Sequence, residues 1–304
     1  MRRTCALITL VFSIFLTLVI FPACGLSASL EFECPEKVFQ GEPFPVRIRS
    51  DTRLESVELS WLSDSVFSSP REMEGTWQYD FILGTDVKTD TSGMKLLSVR
   101  LRSGAIDHGF SWQIQVLERS YPEERLTVPG NMIIPPEDVL SRIARERELV
   151  RKALETSTSE TMWVLPFSEP LSGDVTSPYG QRRYYNGRPG TRHGGVDFRA
   201  ARGTAVKAAA EGVVVLAGDH YFAGKSVYID HGNRVISMYF HLSSITVEQG
   251  ERVACGDVLG LSGMSGRVTG PHLHFGVCVC GEMVDPMKLL SSPAGGNGVV
   301  RVDI

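Results

Sequence analysis

The stretch Gly270-Pro271-His272-Leu273-His274-Phe275-Gly276 decides how the chain folds, and the rest is read outward from it. Apolar residues alternate with others, which marks a β-strand. Side chains at i and i+2 of a strand share a face, so His272 and His274 project together while Leu273, Phe275 and Val277 project to the other side. Two imidazoles on one face suit a metal, or a metal ligand beside a catalytic base. A His-x-His pair alone arises often by chance, so it counts only with further clusters.

One such cluster is His193-Gly194-Gly195-Val196-Asp197. Fully extended, this segment would hold its imidazole and carboxylate about 13 Å apart, too far for one metal. Gly194 and Gly195 let the backbone bend and bring the two together. One carboxylate and two imidazoles form a three-ligand set that fits zinc and leaves a fourth position for water. That is the pattern of a catalytic site, since structural zinc sites are usually closed by four protein ligands. Another cluster is Met238-Tyr239-Phe240-His241-Leu242-Ser243. In a strand from Arg234 to His241, Ile236, Met238 and Phe240 share one face and Tyr239 and His241 the other. The apolar face is expected in the core, which turns His241 towards a cleft.

With these clusters in place, the chain resembles the lysostaphin/LytM-type zinc peptidases that cut peptidoglycan cross-links. The resemblance runs from about Pro166 to Pro286. Its carriers are Thr176-Ser177-Pro178-Tyr179-Gly180-Gln181-Arg182, His193-Gly194-Gly195-Val196-Asp197, Gly203-Thr204-Ala205-Val206, Gly212-Val213-Val214, Tyr239-Phe240-His241-Leu242 and Gly270-Pro271-His272-Leu273-His274-Phe275. It implies Zn2+ held by His193, Asp197 and His274, with water fourth. Zinc brings the pKa of bound water to around 7 and polarises the scissile carbonyl. His241 and His272 are then the catalytic pair that orients the water, shuttles protons and steadies the developing oxyanion; which of them is the base stays open. Tyr239 reads as a structural aromatic on the His241 face, and Asp285 as an outer partner of the site. One loop departs from the pattern: the family often has Gly-x-Thr-Gly where this chain reads Gly263-Met264-Ser265-Gly266. The change bears on peptide preference and leaves the metal chemistry untouched.

The chain has 304 residues, more than one compact core usually needs, which favours two domains. Lys and Arg number 31 against 35 Asp and Glu, a balance that argues against a nucleic-acid binder. The N-terminus opens with Arg2-Arg3 and an apolar run from Ala6 to Phe21, as in an export signal. Two readings of it stay open: cleavage at Ala23-Cys24-Gly25 with lipidation of Cys24, or an uncleaved anchor near the lower limit of about 17 residues for a spanning helix. Either one exports the protein to the periplasm or cell envelope, and this segment is the only expected contact with a membrane. Of six cysteines, Cys5 and Cys24 lie in or beside the signal. Cys34, Cys255, Cys278 and Cys280 do not follow a zinc-knuckle spacing. Cys278 and Cys280 read as small half-buried residues, and pairing of Cys255 with either is left open.

Residues 30–118 contain short alternating segments such as Pro45-Val46-Arg47-Ile48-Arg49, Ser56-Val57-Glu58-Leu59-Ser60-Trp61 and Phe110-Ser111-Trp112-Gln113-Ile114-Gln115-Val116, separated by turn material. They suggest an immunoglobulin-like β-sandwich. Its one histidine, His108, is expected in a solvated turn. Residues 119–160 form a linker with one helix, from Pro136 or Glu137 to about Leu154, whose stripe is Val139, Ile143, Val150 and Leu154. A connector packed on a domain is favoured over a segment covering the active-site cleft. His220 and His231 are read as structural or solvent-facing, His220 with reach to a cleft rim. Turn signals such as Glu211-Gly212 and Gln249-Gly250, and the lack of a His-Glu-x-x-His helix, indicate an all-β catalytic domain over residues 161–292. Residues 1–24 are the signal or anchor and 293–304 a C-terminal tail.

The expected fold class is therefore all-β: an N-terminal immunoglobulin-like β-sandwich, a helical connector and a C-terminal antiparallel β-sheet zinc peptidase domain. The expected function is a zinc-dependent endopeptidase acting on stem peptides or cross-bridges of peptidoglycan. The N-terminal domain would contact wall, partner protein or itself. The competing function is a non-hydrolytic envelope module that activates another wall hydrolase. The full set of ligands and catalytic histidines favours the enzyme.

Overall fold

A computed structural model describes residues 29–88, 91–104, 106–127, 135–291 and 297–303. The export segment, Cys24 and the Pro129-Gly130 turn lie outside the described residues. No helix among the described residues is long and apolar enough to cross a membrane.

The N-terminal part builds two five-stranded sheets. One runs in the order Asn297–Asp303, Ser29–Pro35, Pro43–Ser50, Thr76–Gly84 and Arg71–Met73; the other runs Lys37–Phe39, Ile106–Leu117, Gly93–Ser103, Ser56–Trp61 and Asp64–Ser68. In Pro43–Ser50 the burial alternates strictly, with Phe44, Val46 and Ile48 inward and Arg47 and Arg49 on the opposite side. The two sheets meet through aromatic rings. Phe32 of the first packs edge-on against Phe110 of the second at 5.1 Å, and Phe44 against Trp61 at 5.3 Å. The indole of Trp61 donates to the Gly84 carbonyl at 2.8 Å, so the one polar atom of that buried ring is satisfied.

Two expectations change here. Residues 297–303, read as part of a tail, form a strand paired antiparallel with Ser29–Pro35 along its whole length. Their Val-Val-Arg-Val run has the β-branched content of an edge strand, and the sheet edge offers it partners. His108 lies in a strand opposite Leu101 and is partly buried, not in a turn.

The C-terminal part is organised on a ten-stranded sheet whose main path is Val175–Ser177, Val196–Arg199, His272–Val279, Val235–Ile245, Gly224–Asp230, Gly212–His220 and Arg252–Val253. Leu273, Phe275 and Val277 are fully buried on one face, with Tyr239 and Val235 beside them. The opposite face carries a second cluster of Leu216, Tyr228, Ile236, Met238 and Cys278. The helix Leu140–Glu155, led in by a short turn over Glu137–Val139, lies on this second face through Ala153, Val150 and Leu154. The Arg142 guanidinium donates to the Asp219 carbonyl at 3.0 Å and the Glu146 carboxylate accepts from the Tyr221 amide at 2.8 Å. The linker also contains Glu123–Leu126, a strand parallel to Arg182–Tyr185 that the sequence did not signal.

Among the described residues Cys34, Cys255, Cys278 and Cys280 are free thiols. Cys278 and Cys280 are fully rather than half buried, and Cys255 is exposed. The two parts of the chain touch through Asn233, whose side-chain amide donates to the Asp80 carbonyl at 3.0 Å and to Ser68 Oγ at 3.3 Å, and through the Arg234–Asp64 ion pair at 2.6 Å.

Candidate active site

Strand pairing sets the site. Val196–Arg199 runs antiparallel to His272–Val279 with Asp197 directly opposite His274, so the two side chains stand on one face. His193 enters from the segment just before. The intervening Gly195 is required by close approach rather than by unusual backbone angles: a Cβ there would sit 2.3 Å from the Phe275 carbonyl oxygen and 2.8 Å from His274 Nε2. His193, Asp197 and His274 therefore converge. His193 Nε2 lies 3.0 Å from Asp197 Oδ1 and 2.9 Å from His274 Nδ1, and His274 Nδ1 lies 2.9 Å from Asp197 Oδ1.

Neighbours fix the state of these side chains. The Pro178 carbonyl lies 3.0 Å from His193 Nδ1 and accepts a hydrogen bond from its N–H, which leaves Nε2 with a lone pair aimed at the corner. Burial alone would raise the Asp197 carboxyl, but the hydrogen bonds and charges of His193 and His274 outweigh it and hold the group well below the usual carboxylate range. Burial pushes His274 below its ordinary value against the pull of Asp197. An anionic carboxylate beside a neutral imidazole is the state a metal requires. Phe240 stacks on His274 with ring centroids 5.1 Å apart and planes within 14°.

His241 and His272 stand beside this corner, their rings 4.8 Å apart. Each donates its Nδ1–H to a backbone carbonyl, of Ser265 and Gly270 respectively, both at 2.9 Å, so Nε2 is the free nitrogen in each ring. Burial, reinforced by His274 and His272, pushes His241 down to about 3. His272 Nε2 lies 3.7 Å from Asp197 Oδ1. All five residues line one cleft of about 1050 Å³, whose far wall includes Ile143, Val150 and Leu154 of the helix.

The way His241 reaches the cleft differs from simple alternation. Ile236 and Met238 lie on the second face and Tyr239 in the main core, opposite to the expected assignment. By alternation His241 would follow Tyr239 inward. Instead the register slips between the Val227–Tyr239 and Lys225–Leu242 pairs, and His241 adopts a left-handed φ of 65°, so it joins Phe240 on the cleft side.

Other expectations sort plainly. Tyr239 is fully buried and accepts from the Ala209 amide, a structural aromatic. Asp285 accepts from the Met287 amide at 3.2 Å and faces Arg119; it is no part of the site. Neither His220 nor His231 faces solvent: His231 is fully buried, while His220 is buried with its ring lining the cleft. The loop 263–266, expected to bear on peptide preference, also reaches the site, because the Ser265 carbonyl accepts from His241 Nδ1 at 2.9 Å. Sequence reasoning missed Ser265, Phe240 and Arg183, whose guanidinium binds Asp197 Oδ2 at 3.0 Å. The Arg182-Arg183 doublet after Gly180 was a visible signal, though not one that distinguished the two.

The model of peptidase family M23 matches residues 191–286, a span that contains all five cleft residues. The chain carries a peptidase family M23 domain. Over 96 residues it is 48% identical to the peptidoglycan DD-endopeptidase ShyA of Vibrio cholerae, covering 32% of this chain and 22% of that protein. Over 115 residues it is 38% identical to the DD-carboxypeptidase/endopeptidase Mpg of Neisseria meningitidis, covering 38% of this chain and 26% of that one. The chain thus spans about a quarter of the length of these curated relatives. A crystal structure of a putative M23 peptidase from Pseudomonas aeruginosa superposes with a TM-score of 0.63 at 28% identity, over 84% of this chain and 96% of that one. That likeness reaches well beyond the M23 domain itself.

Proposed function

We propose that the protein is a zinc-dependent endopeptidase that hydrolyses peptide cross-links of bacterial peptidoglycan. The observation that carries this is the pairing of a three-donor corner with two further imidazoles on the same cleft wall. The M23 domain and the names of its relatives supply the substrate class. The donors fit the metal: two imidazole nitrogens and one carboxylate oxygen lie within 4.8 Å of one another, and no fourth His, Cys, Asp or Glu among the described residues joins the group. His193 Nε2, Asp197 Oδ1 and His274 Nδ1 would hold it. Bound there, zinc supplies Lewis acidity that lowers the pKa of a coordinated water and polarises the scissile carbonyl.

The chain's own residues do the rest. Asp197 stays an anion, and His274 stays neutral under burial. The free Nε2 of His272 or His241 takes the proton of the attacking water and returns it to the departing amine. The carbonyls of Gly270 and Ser265 keep both rings in the tautomer that leaves Nε2 able to accept. Phe240 limits rotation of His274 by stacking on it. Such a substrate places the protein at the cell envelope, and the apolar run behind Arg2-Arg3 supplies the route of export. The two N-terminal sheets, as a separate domain, would contact wall or an envelope protein.

Metal analysis tests the site. The purified chain should carry one zinc, chelation should stop hydrolysis, and His193→Ala or Asp197→Ala should lose the metal. Full zinc and full activity in both variants would refute the ligand assignment.

A further inference from the structure

We infer that Arg183 is a positioning residue that fixes which oxygen Asp197 presents to the metal, and that Glu124 holds Arg183 in place for this task. Both residues lie outside the matched segment 191–286. The inference rests on the zinc reading above and adds a part of the chain that no metal ligand comes from.

Asp197 divides its two oxygens. Oδ1 faces His193 Nε2 and His274 Nδ1, while Oδ2 is taken by Arg183 Nη2 at 3.0 Å. The same Nη2 has a second hydrogen, and Ser177 Oγ accepts it at 2.7 Å. The Nε–H of Arg183 donates to Glu124 Oε2 at 3.2 Å. A guanidinium is planar with its donors at fixed angles. Tying down Nε and Nη2 therefore sets the plane of the group, and with it the direction from which Oδ2 is held. The pairing of Glu123–Leu126 with Arg182–Tyr185 puts Glu124 level with Arg183, so the backbone register delivers the clamp.

The chemical consequence follows from what a carboxylate can do. Free to turn about its last bond, an aspartate can offer a metal one oxygen or both. Both oxygens would crowd the position that water and substrate carbonyl must share. With Oδ2 bound to Arg183, only Oδ1 is turned to the corner, and the carboxylate is a one-oxygen ligand. Ser177 extends the same network to the histidine side, with its Oγ 3.3 Å from His193 Nδ1. Partners that orient metal ligands typically contribute about 10- to 100-fold to metal affinity.

The test uses the full chain loaded with zinc or cobalt(II) alone. Zinc affinity is measured by competition with a chelator, and the melting temperature is measured metal-free. Arg183→Met should bind zinc about 10- to 100-fold more weakly than the unaltered protein. Arg183→Lys should recover only part of this, because one ammonium cannot reach Asp197, Ser177 and Glu124 in the fork geometry. Glu124→Ala should weaken zinc by less, and Glu124→Ala combined with Arg183→Met should be no weaker than Arg183→Met alone, since Glu124 acts through Arg183. The cobalt(II) visible spectrum of Arg183→Met should lose intensity, the sign of a higher coordination number. Zinc affinity within twofold of the unaltered protein in a folded Arg183→Met overturns the inference, as do additive losses in the double variant. If Arg183→Met does not fold, Arg183→Lys and Glu124→Ala carry the same decision. An unaltered protein that binds no zinc would instead overturn the zinc reading itself.

Discussion

At the scale of residues, the five side chains named from sequence come to one cleft, yet in two distinct groups. His193, Asp197 and His274 face each other at hydrogen-bond spacing. His241 and His272 each have one nitrogen committed to a backbone carbonyl and one free. In the proposed reaction the first group holds the metal and the second moves protons, and the two roles fail differently. Removing a positioned proton-transfer group costs about 10² to 10⁴ in rate. His241→Ala and His272→Ala should therefore keep zinc and fold while losing turnover by that much, measured as zinc content and peptide release on the same samples. Loss of metal from His272→Ala as readily as from His274→Ala would make His272 a ligand. His108, far along the chain in a strand of the N-terminal sheets, is the suitable control; His231 is not, because it is fully buried. The residue pattern was legible because His-x-His and His-Gly-Gly-Val-Asp are short and local. Arg183 and Ser265 were not legible, because their contacts to Asp197 and His241 are made across the fold.

At the scale of elements, the strand Val235–Ile245 shows where pattern reading stops. Its alternation is legible, but the face was assigned the wrong way round, because both sides of this sheet are covered by apolar partners. The slipped register before His241 leaves no mark that period-two reasoning can see. The turn that feeds this strand carries a different signal, one that pH can test. The carbonyl of Glu211 lies 2.7 Å from His231 Nδ1 and Ser237 Oγ lies 2.7 Å from Nε2, so the ring is neutral with both nitrogens used. Burial pushes its pKa down to about 4 from 6.5. The folded pKa is depressed, so the unfolded chain binds the proton first as pH falls. Stability from this group is complete above about pH 6.5, declines as pH falls towards 4, and then levels, a total of roughly 3 kcal/mol. Melting temperatures at pH 7.5 and pH 5 should separate, and His231→Gln should narrow the gap. An unchanged gap in that variant would show that His231 does not titrate between the two states.

At the scale of the whole molecule, the described strands farthest apart in sequence lie side by side. Its last described strand, Asn297–Asp303, pairs with its first, Ser29–Pro35, so the residues that follow the M23 domain complete a sheet that precedes it. The change in character near residue 120 was visible in the sequence, whereas a seven-residue strand near the C-terminus carries too little pattern to declare its partner. Deleting the residues from 297 onward would bare the edge of Ser29–Pro35. The melting temperature of this part should fall by about 4 °C or more, the effect of a loss near 1 kcal/mol in a domain of roughly 100 residues. No fall would mean the strand adds nothing to the sheet it completes. What the assembled cleft does is tested most directly by digestion of purified wall sacculi with the isolated protein. With zinc present and no other protein added, mass spectrometry should find cross-linked peptides cut at one kind of bond, and none after chelation or in Asp197→Ala. Zinc-loaded protein that releases no peptide from any wall type, yet accelerates a separate hydrolase, would contradict the account.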